Sequence, residues 1–416
     1  MFFIYQILFF LIFLISPVII LFRILNKKEH KTRFLEKFSI FSKNRKSGNL
    51  IWFHGSSVGE ILSIIPLIEK YEKDESINQI LITSTTFSSS KVLKKFNFKK
   101  TIHQFYVFDL FFFTSRFVNF WKPNIAVFVE SEIWPSMFKQ IYNKKIPLLL
   151  LNARLTKKTF NKWNKFRKFS KSIFQLISKA YPQNFETLNF LKKIGVKKIK
   201  FIGNLKFSEN YSGKYEKINS KLRKQLKNKK VWIASSTHYN EEIFCAKVHL
   251  KLKKKIKNLL TIIIPRHIDR VPQIISDLEK FNLKISRHTS KIKDLDKTDI
   301  YLVDTFGETN KFFKLSSSVF LGGSIIKRGG QNPLEPARNG AKIFHGPNID
   351  NFKDVYRLLS ALKISKKIKT YNSLANVIKF EKPKKKSSKI GKIGKIILKK
   401  TINEIDFQIK NEIKKT

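Results

Sequence analysis

Most side chains in this sequence that could do chemistry stand immediately after short apolar runs. The block His54-Gly55-Ser56-Ser57-Val58-Gly59-Glu60 follows one such run and precedes a helical pattern from Ile61 to Tyr71. A strand that turns through small residues into a helix presents backbone N–H groups and a helix N-terminus at the strand's carboxyl end, where open α/β sheets bind ligands. Glu60 is then either a carboxylate that stabilises the helix dipole or a general base. In Glu130-Ser131-Glu132-Ile133-Trp134-Pro135, two carboxylates lie two residues apart beside an aromatic. That suits a site handling hydroxyls and developing positive charge, or a solvated acidic loop. Asn152 and Arg154 end another run, and Lys206 follows a further one in Gly203-Asn204-Leu205-Lys206-Phe207.

The second half repeats this arrangement. Ala234-Ser235-Ser236-Thr237-His238 precedes Glu241 and Glu242, as in a phosphate-accepting loop before a capped helix. Pro265-Arg266-His267 offers a guanidinium for a phosphate or carboxylate, and Asp304-Thr305-Phe306-Gly307-Glu308 and Gly322-Gly323-Ser324 follow two more runs. The densest block is Gly329-Gly330-Gln331-Asn332-Pro333-Leu334-Glu335-Pro336-Ala337. Paired glycines allow close approach to a ligand, Asn332 can cap a helix that Pro333 begins, and Glu335 can accept from ribose hydroxyls; an ordinary capped helix has the same pattern. There is no Gly-x-Gly-x-x-Gly fingerprint, Walker A sequence or His-Glu-x-x-His, and the 8 histidines lack metal-ligand spacing, so no metal or cofactor is expected.

Buried strands are expected at residues 50–54, 79–83, 125–129, 147–151 and 198–202, and again at 231–235, 259–265, 300–304, 319–323 and 342–345. Helix-length stretches separate them, which makes right-handed parallel crossovers the economical topology. The expectation is two doubly wound α/β domains with a cleft between them: residues 49–207 and 231–380, joined by a lysine-rich connection at 208–230 and followed by a basic tail at 381–416.

Residues 1–22 carry no charge and only Gln6, Ser16 and Pro17 interrupt their apolar run. As a helix they would extend about 33 Å, about one hydrocarbon core. The basic residues Arg23, Lys27, Lys28, Lys31 and Arg33 follow the apolar stretch, the reverse of a cleaved signal peptide. The expectation is an anchor at 1–24, spanning the membrane or lying in its interface, with a basic linker at 25–48 and the domains on the cytoplasmic side.

The 416 residues include 83 Lys plus Arg and 30 Asp plus Glu, a net charge of +53. Nucleic acid, an anionic membrane or phosphorylated substrate, and a compositional drift toward Lys and Phe all account for that balance. Basic clusters such as 251–257 and 384–386 have no nucleic-acid motif, which argues against the first. With 42% apolar residues the chain can form packed cores, and Cys245 alone rules out a disulfide framework.

In order and spacing, the blocks HGSSVGE, ESEIWP, NARL, GNLKF, PRH and GGQNPLEPA resemble the 3-deoxy-D-manno-octulosonic acid (Kdo) transferase family over nearly the whole chain. The resemblance implies a GT-B glycosyltransferase at the inner membrane, CMP-Kdo as donor, the lipid A precursor lipid IVA as acceptor, and metal-independent inversion. It implies that Glu60 is the proton acceptor and that Glu130 and Lys206 stabilise the transition state. It places the nucleotide on Pro265, Arg266, Phe306, Gly307, Glu308, Asn332, Pro333, Leu334 and Glu335. Gln331 and Phe306 depart from the family's usual His and Met. A GT-B transferase using another nucleotide sugar, and a basic membrane-tethered binding protein, are the alternatives.

Overall fold

The computed structural model describes residues 1–208, 218–290, 294–380 and 387–413. Two compact units form, Met1–Asn210 together with Ile393–Thr416, and Tyr211–Lys392. The first unit is a six-stranded sheet of β1 (Leu50–His54), β2 (Gln79–Ser84), β3 (Thr101–Phe105), β4 (Ile125–Val129), β5 (Leu148–Ala153) and β6 (Lys179–Pro182), in the order β3-β2-β1-β4-β5-β6. The second has β7 (Lys230–Thr237), β8 (Leu259–Pro265), β9 (Ile285–Arg287), β10 (Ile300–Leu302), β11 (Ser318–Leu321), β12 (Lys342–His345) and β13 (Ser365–Lys367), in the order β13-β12-β11-β7-β8-β10-β9. Every pairing is parallel.

Central strands such as β1 and β4 are buried along their whole length, the pattern of a sheet covered on both faces. Phenylalanine excess finds a use there: Trp52 packs on Phe117 at 4.9 Å and Phe128 at 5.1 Å, and Phe128 meets Phe138 edge-on at 5.1 Å. Each such pair adds about 0.5–1.5 kcal/mol beyond its area burial.

Nine of the ten expected strands are present, most shifted by a residue or two at their ends. The tenth, at 198–202, is not a strand. It touches β6 at a single bridge, Ala180 to Ile199, because Lys198 and Lys200 are exposed and Gly203 turns the chain away at a φ of 113°. The strands missing from the expectation, β3, β6, β9 and β13, all lie at or beside sheet edges, where polar residues such as His103, Gln104, Lys366 and Lys367 dilute the apolar signal.

The N-terminal helix Phe2–Leu25 is long and apolar enough to cross a membrane. It lays one face on the first unit, through Tyr5, Gln6, Phe9 and Phe13, and leaves residues such as Phe3, Leu8, Leu11, Leu14 and Val18 exposed. The segment read as a linker packs on β3: buried Glu36 receives Arg33 at 2.7 Å and the backbone N–H of Phe105 at 2.7 Å, while Arg33 donates to the carbonyl of His103.

Of the basic stretch at 208–230, residues 209–217 lie outside the described residues; a helix at Ser220–Gln225 follows. The basic tail expected from residue 381 is largely the helix Ser387–Ile413, with 381–386 and the lysine cluster 384–386 outside the described residues. From Ile393 it belongs to the first unit. Glu404 takes Lys179 at 2.6 Å and Asp406 takes Lys70 at 2.9 Å. A Cβ on Gly394 would come within 2.1 Å of the carbonyl oxygen of Phe207, so the repeated glycine there permits close helix approach.

Candidate active site

In the first sheet the strand order reverses between β1 and β4, which are hydrogen-bonded neighbours. Such a switch point leaves an opening at the strands' carboxyl ends. Glu60 enters from β1, Glu130 and Glu132 from β4, Asn152 and Arg154 from β5, and Lys206 from the segment after β6.

Glu60 sits in the first turn of helix Val58–Glu72, in a capping box with Ser57. Its carboxylate accepts from the backbone N–H of Ser56 at 2.7 Å and the hydroxyl of Ser57 at 2.9 Å. A capping role alone would favour the anion, yet the carboxyl is pushed up to about 7, first by burial and then by the charges of Glu132 and Glu130. The capping role is therefore present, and the carboxyl is at the same time raised toward neutrality.

Glu130 is buried, and its backbone adopts a φ of 59°, the left-handed region that a glutamate rarely enters. Two backbone bonds hold it there: its N–H donates to the carbonyl of Leu151, and its carbonyl accepts from Arg154. Lys206 Nζ meets Glu130 Oε1 at 2.5 Å. Asn152, also left-handed at 52°, positions that lysine by accepting the N–H of Leu205 at 2.9 Å through Oδ1. The three residues expected to be catalytic thus come together in the first unit.

The sequence did not single out the part played by Glu132. Burial pushes its carboxyl up, but hydrogen bonds from His54, Ser56 Oγ at 2.7 Å and Trp134 Nε1 at 2.9 Å outweigh burial and hold it below the usual range. The hydroxyl of Thr83 accepts from Trp52 Nε1 at 2.8 Å and lies 2.9 Å from His54 Nδ1. His54 Nε2 in turn lies 3.1 Å from Glu132 Oε2.

In the second unit, the residues expected to bind nucleotide follow strands of one sheet: Phe306, Gly307 and Glu308 after β10, Arg266 after its neighbour β8, and Asn332, Pro333, Leu334 and Glu335 after β11, which β7 separates from β8. Pro265 itself ends β8. His238, after β7, is pushed down to about 4 by burial and by the positive field of His267, Arg328, Arg266 and Arg270. Arg266 and Arg328 bring positive charge here that a phosphate would meet, while Arg270 is engaged by Glu242 at 3.1 and 3.2 Å. Phe306 is 79% exposed. The carboxylate of Glu308 is held by Thr305 at 2.8 Å, Lys311 at 2.6 Å and His288 at 2.8 Å.

Two details differ from the sequence reading. The helix after the glycine pair begins at Leu334, not Pro333, and Asn332 Oδ1 accepts the N–H of Leu334. The N–H groups of Gly323, Ser324, Ile325 and His238 all donate to the carboxylate of Glu241. A buried side chain of the protein thus takes the N–H of His238, in the loop read as phosphate-accepting.

The family described as 3-deoxy-D-manno-octulosonic-acid transferase (kdotransferase) matches residues 32–209. A 3-deoxy-D-manno-octulosonic acid transferase of Rickettsia bellii is 33% identical over 89% of this chain and 89% of its own length. The chain belongs to the Kdo transferase family. A Haemophilus influenzae member is 31% identical over 74% of this chain and 73% of its own. The crystal structure of Anabaena Alr3699/HepE with UDP and glucose aligns at a TM-score of 0.54 and 12% identity, covering 88% of this chain and all of that one. At that identity the likeness is one of fold, and the fold of this Kdo transferase is GT-B: two parallel α/β units. It is accordingly a glycosyltransferase.

Proposed function

We propose that the enzyme transfers Kdo from CMP-Kdo to the lipid A precursor lipid IVA, with inversion and with Glu60 as general base. Family membership supports the Kdo donor, and the Glu60 carboxyl, balanced near neutral pH beside the Glu130–Lys206 pair, is the observation that carries the mechanism. The acceptor's primary hydroxyl attacks the anomeric carbon and passes its proton to Glu60. The bond from that carbon to the phosphate oxygen breaks, and CMP leaves with the electron pair. A base whose pKa lies near ambient pH is both ionised and able to take the proton.

Positive charge develops on the sugar ring and meets Glu130, while Lys206 neutralises the donor's carboxylate. Arg266 and the neighbouring Arg328 meet the leaving phosphate, and Phe306, Gly307, Glu308, Asn332, Pro333, Leu334 and Glu335 surround the nucleoside. No step calls on a metal. The exposed apolar face of helix Phe2–Leu25 enters the inner membrane, with the catalytic units cytoplasmic. Arg23 and Arg33 are paired with Glu29 and Glu36, so exposed Lys27, Lys28 and Lys31 are the charges left to meet anionic lipid headgroups.

Incubating the purified chain with CMP-Kdo and lipid IVA and separating the products by thin-layer chromatography tests donor and acceptor together and counts the sugars added. Glu60→Gln is expected to bind CMP-Kdo and lose turnover by about 10²–10⁴-fold. Normal turnover by that variant would remove Glu60 from the mechanism.

A further inference from the structure

Gln6 is out of place in an apolar helix unless its amide is fully bonded. Here it is: Nε2 donates to Ser136 Oγ at 2.5 Å and to the carbonyl of Asp109 at 3.5 Å, and Oε1 accepts the N–H of Phe111 at 2.9 Å. One residue earlier, the hydroxyl of Tyr5 donates to Asp109 Oδ2 at 2.7 Å. Asp109 is wholly buried, and its carboxylate also accepts the N–H groups of Ser136 and Met137, each at 2.9 Å. Those two residues open helix Pro135–Asn143, so Asp109 caps the helix that starts where the acidic loop 130–134 ends.

A second line of contact runs in parallel. Phe9 packs edge-on against Trp134 with ring centres 6.5 Å apart. Trp134 donates to Glu132, and Ser56 donates its hydroxyl to Glu132 and its backbone N–H to Glu60, both at 2.7 Å. Every link from the membrane-type helix to the base is therefore a hydrogen bond or ring contact within one unit.

We propose that the first turns of helix Phe2–Leu25 position the acidic loop: Tyr5, Gln6 and Asp109 are positioning residues that hold Glu132 beside Glu60, so that seating this helix sets the active site as well as tethering the enzyme. The inference rests on the assignment of Glu60 as base. Desolvation makes the arrangement effective, because the buried Asp109 carboxylate has no water to replace the bond that Tyr5 supplies.

The test uses the full-length enzyme with Tyr5→Phe, and Tyr5→Phe combined with Gln6→Leu, against Leu11→Ala on the exposed face of the helix. For each, kcat is measured across pH 5–9, and flotation with phosphatidylethanolamine–phosphatidylglycerol vesicles reports membrane binding. The expected result is a kcat lowered about 10- to 100-fold in the double variant, from misplacement of about an ångström. With Glu132 displaced, Glu60 meets less negative charge, so the acid limb moves to lower pH by about half a unit or more, and Tyr5→Phe alone shows the same direction at a smaller loss. Flotation and the Leu11→Ala profile stay as in the wild type. An unmoved midpoint in both variants, whatever the kcat, overturns the proposal and leaves the helix a tether. Glu60→Gln assayed alongside separates the two ideas: if it turns over normally the base assignment fails, and if it is inactive while the Tyr5 and Gln6 variants behave as wild type only the coupling fails.

Discussion

Replacing Glu60 by Gln has a consequence for stability that can be worked from its surroundings. Its carboxyl is raised from 4.5 to about 7, chiefly by burial and then by Glu132 and Glu130. At about 1.36 kcal/mol per pH unit, the folded protein prefers the protonated form by about 3 kcal/mol. The folded state thus holds more protons than the unfolded chain between pH 4.5 and 7, so this group's contribution to stability is fully present below 4.5 and is lost as pH rises through 7. Glu60→Gln removes that dependence. Relative to wild type the variant should gain stability as pH rises from 5 to 8, by at most about 3 kcal/mol less the capping bonds that a neutral amide weakens. For a unit of this size the upper limit is about 6–12 °C in Tm, at about 2–4 °C per kcal/mol, before the capping loss is subtracted. Thermal unfolding of both proteins at half-unit steps of pH measures it. Parallel Tm profiles would refute the reasoning, since they would mean that Glu60 titrates alike folded and unfolded. The same titration should appear in kcat, rising with pH around a midpoint near 7 and shifted lower in Glu132→Gln.

Lys206→Met leaves Glu130 buried without its cation, which should cost about 3–5 kcal/mol in chemical unfolding and depress kcat more than donor KM. Arg266→Ala should weaken CMP binding in calorimetry while leaving Tm within about 1 °C, because the side chain is exposed. Arg270→Ala should instead lower Tm, since it strips the buried Glu242 of a two-pronged ion pair at 3.1 and 3.2 Å. Glu241→Ala orphans four backbone donors and should cost at least about 2 kcal/mol in unfolding of the second unit, with no direct role in turnover.

Much of the candidate site was legible because it is built locally. Ser57 and Glu60 are three residues apart and form the capping box that their spacing suggests. The apolar runs became strands wherever both faces are covered, and the residues after them stand at carboxyl ends as a parallel sheet requires. Edge strands escaped detection because a half-covered strand needs no apolar run, and 198–202 was overestimated because alternating Lys, Ile and Phe mimics one. Gly322-Gly323-Ser324 was legible only as the end of a strand, and what its N–H groups hold is set at long range: Glu241, 82 residues away from Gly323.

The +53 charge shows the same division. Composition established the excess, and motif and spacing separated it from nucleic-acid binding. Only the folded chain sorts the cations: Lys206 on Glu130, Arg270 on Glu242, Lys179 and Lys70 on the C-terminal helix, and Arg266 with His267 and Arg328 around His238. The sequence by itself determined the class of fold, the family, and which residues stand at strand ends, because hydrogen-bonding and burial patterns of strands, turns and caps span only a few residues. The tertiary structure decided which carboxylate is raised toward neutrality, which is held as an anion and which ties backbone N–H groups together, because desolvation and Coulomb forces depend on distance in space and not on separation along the chain.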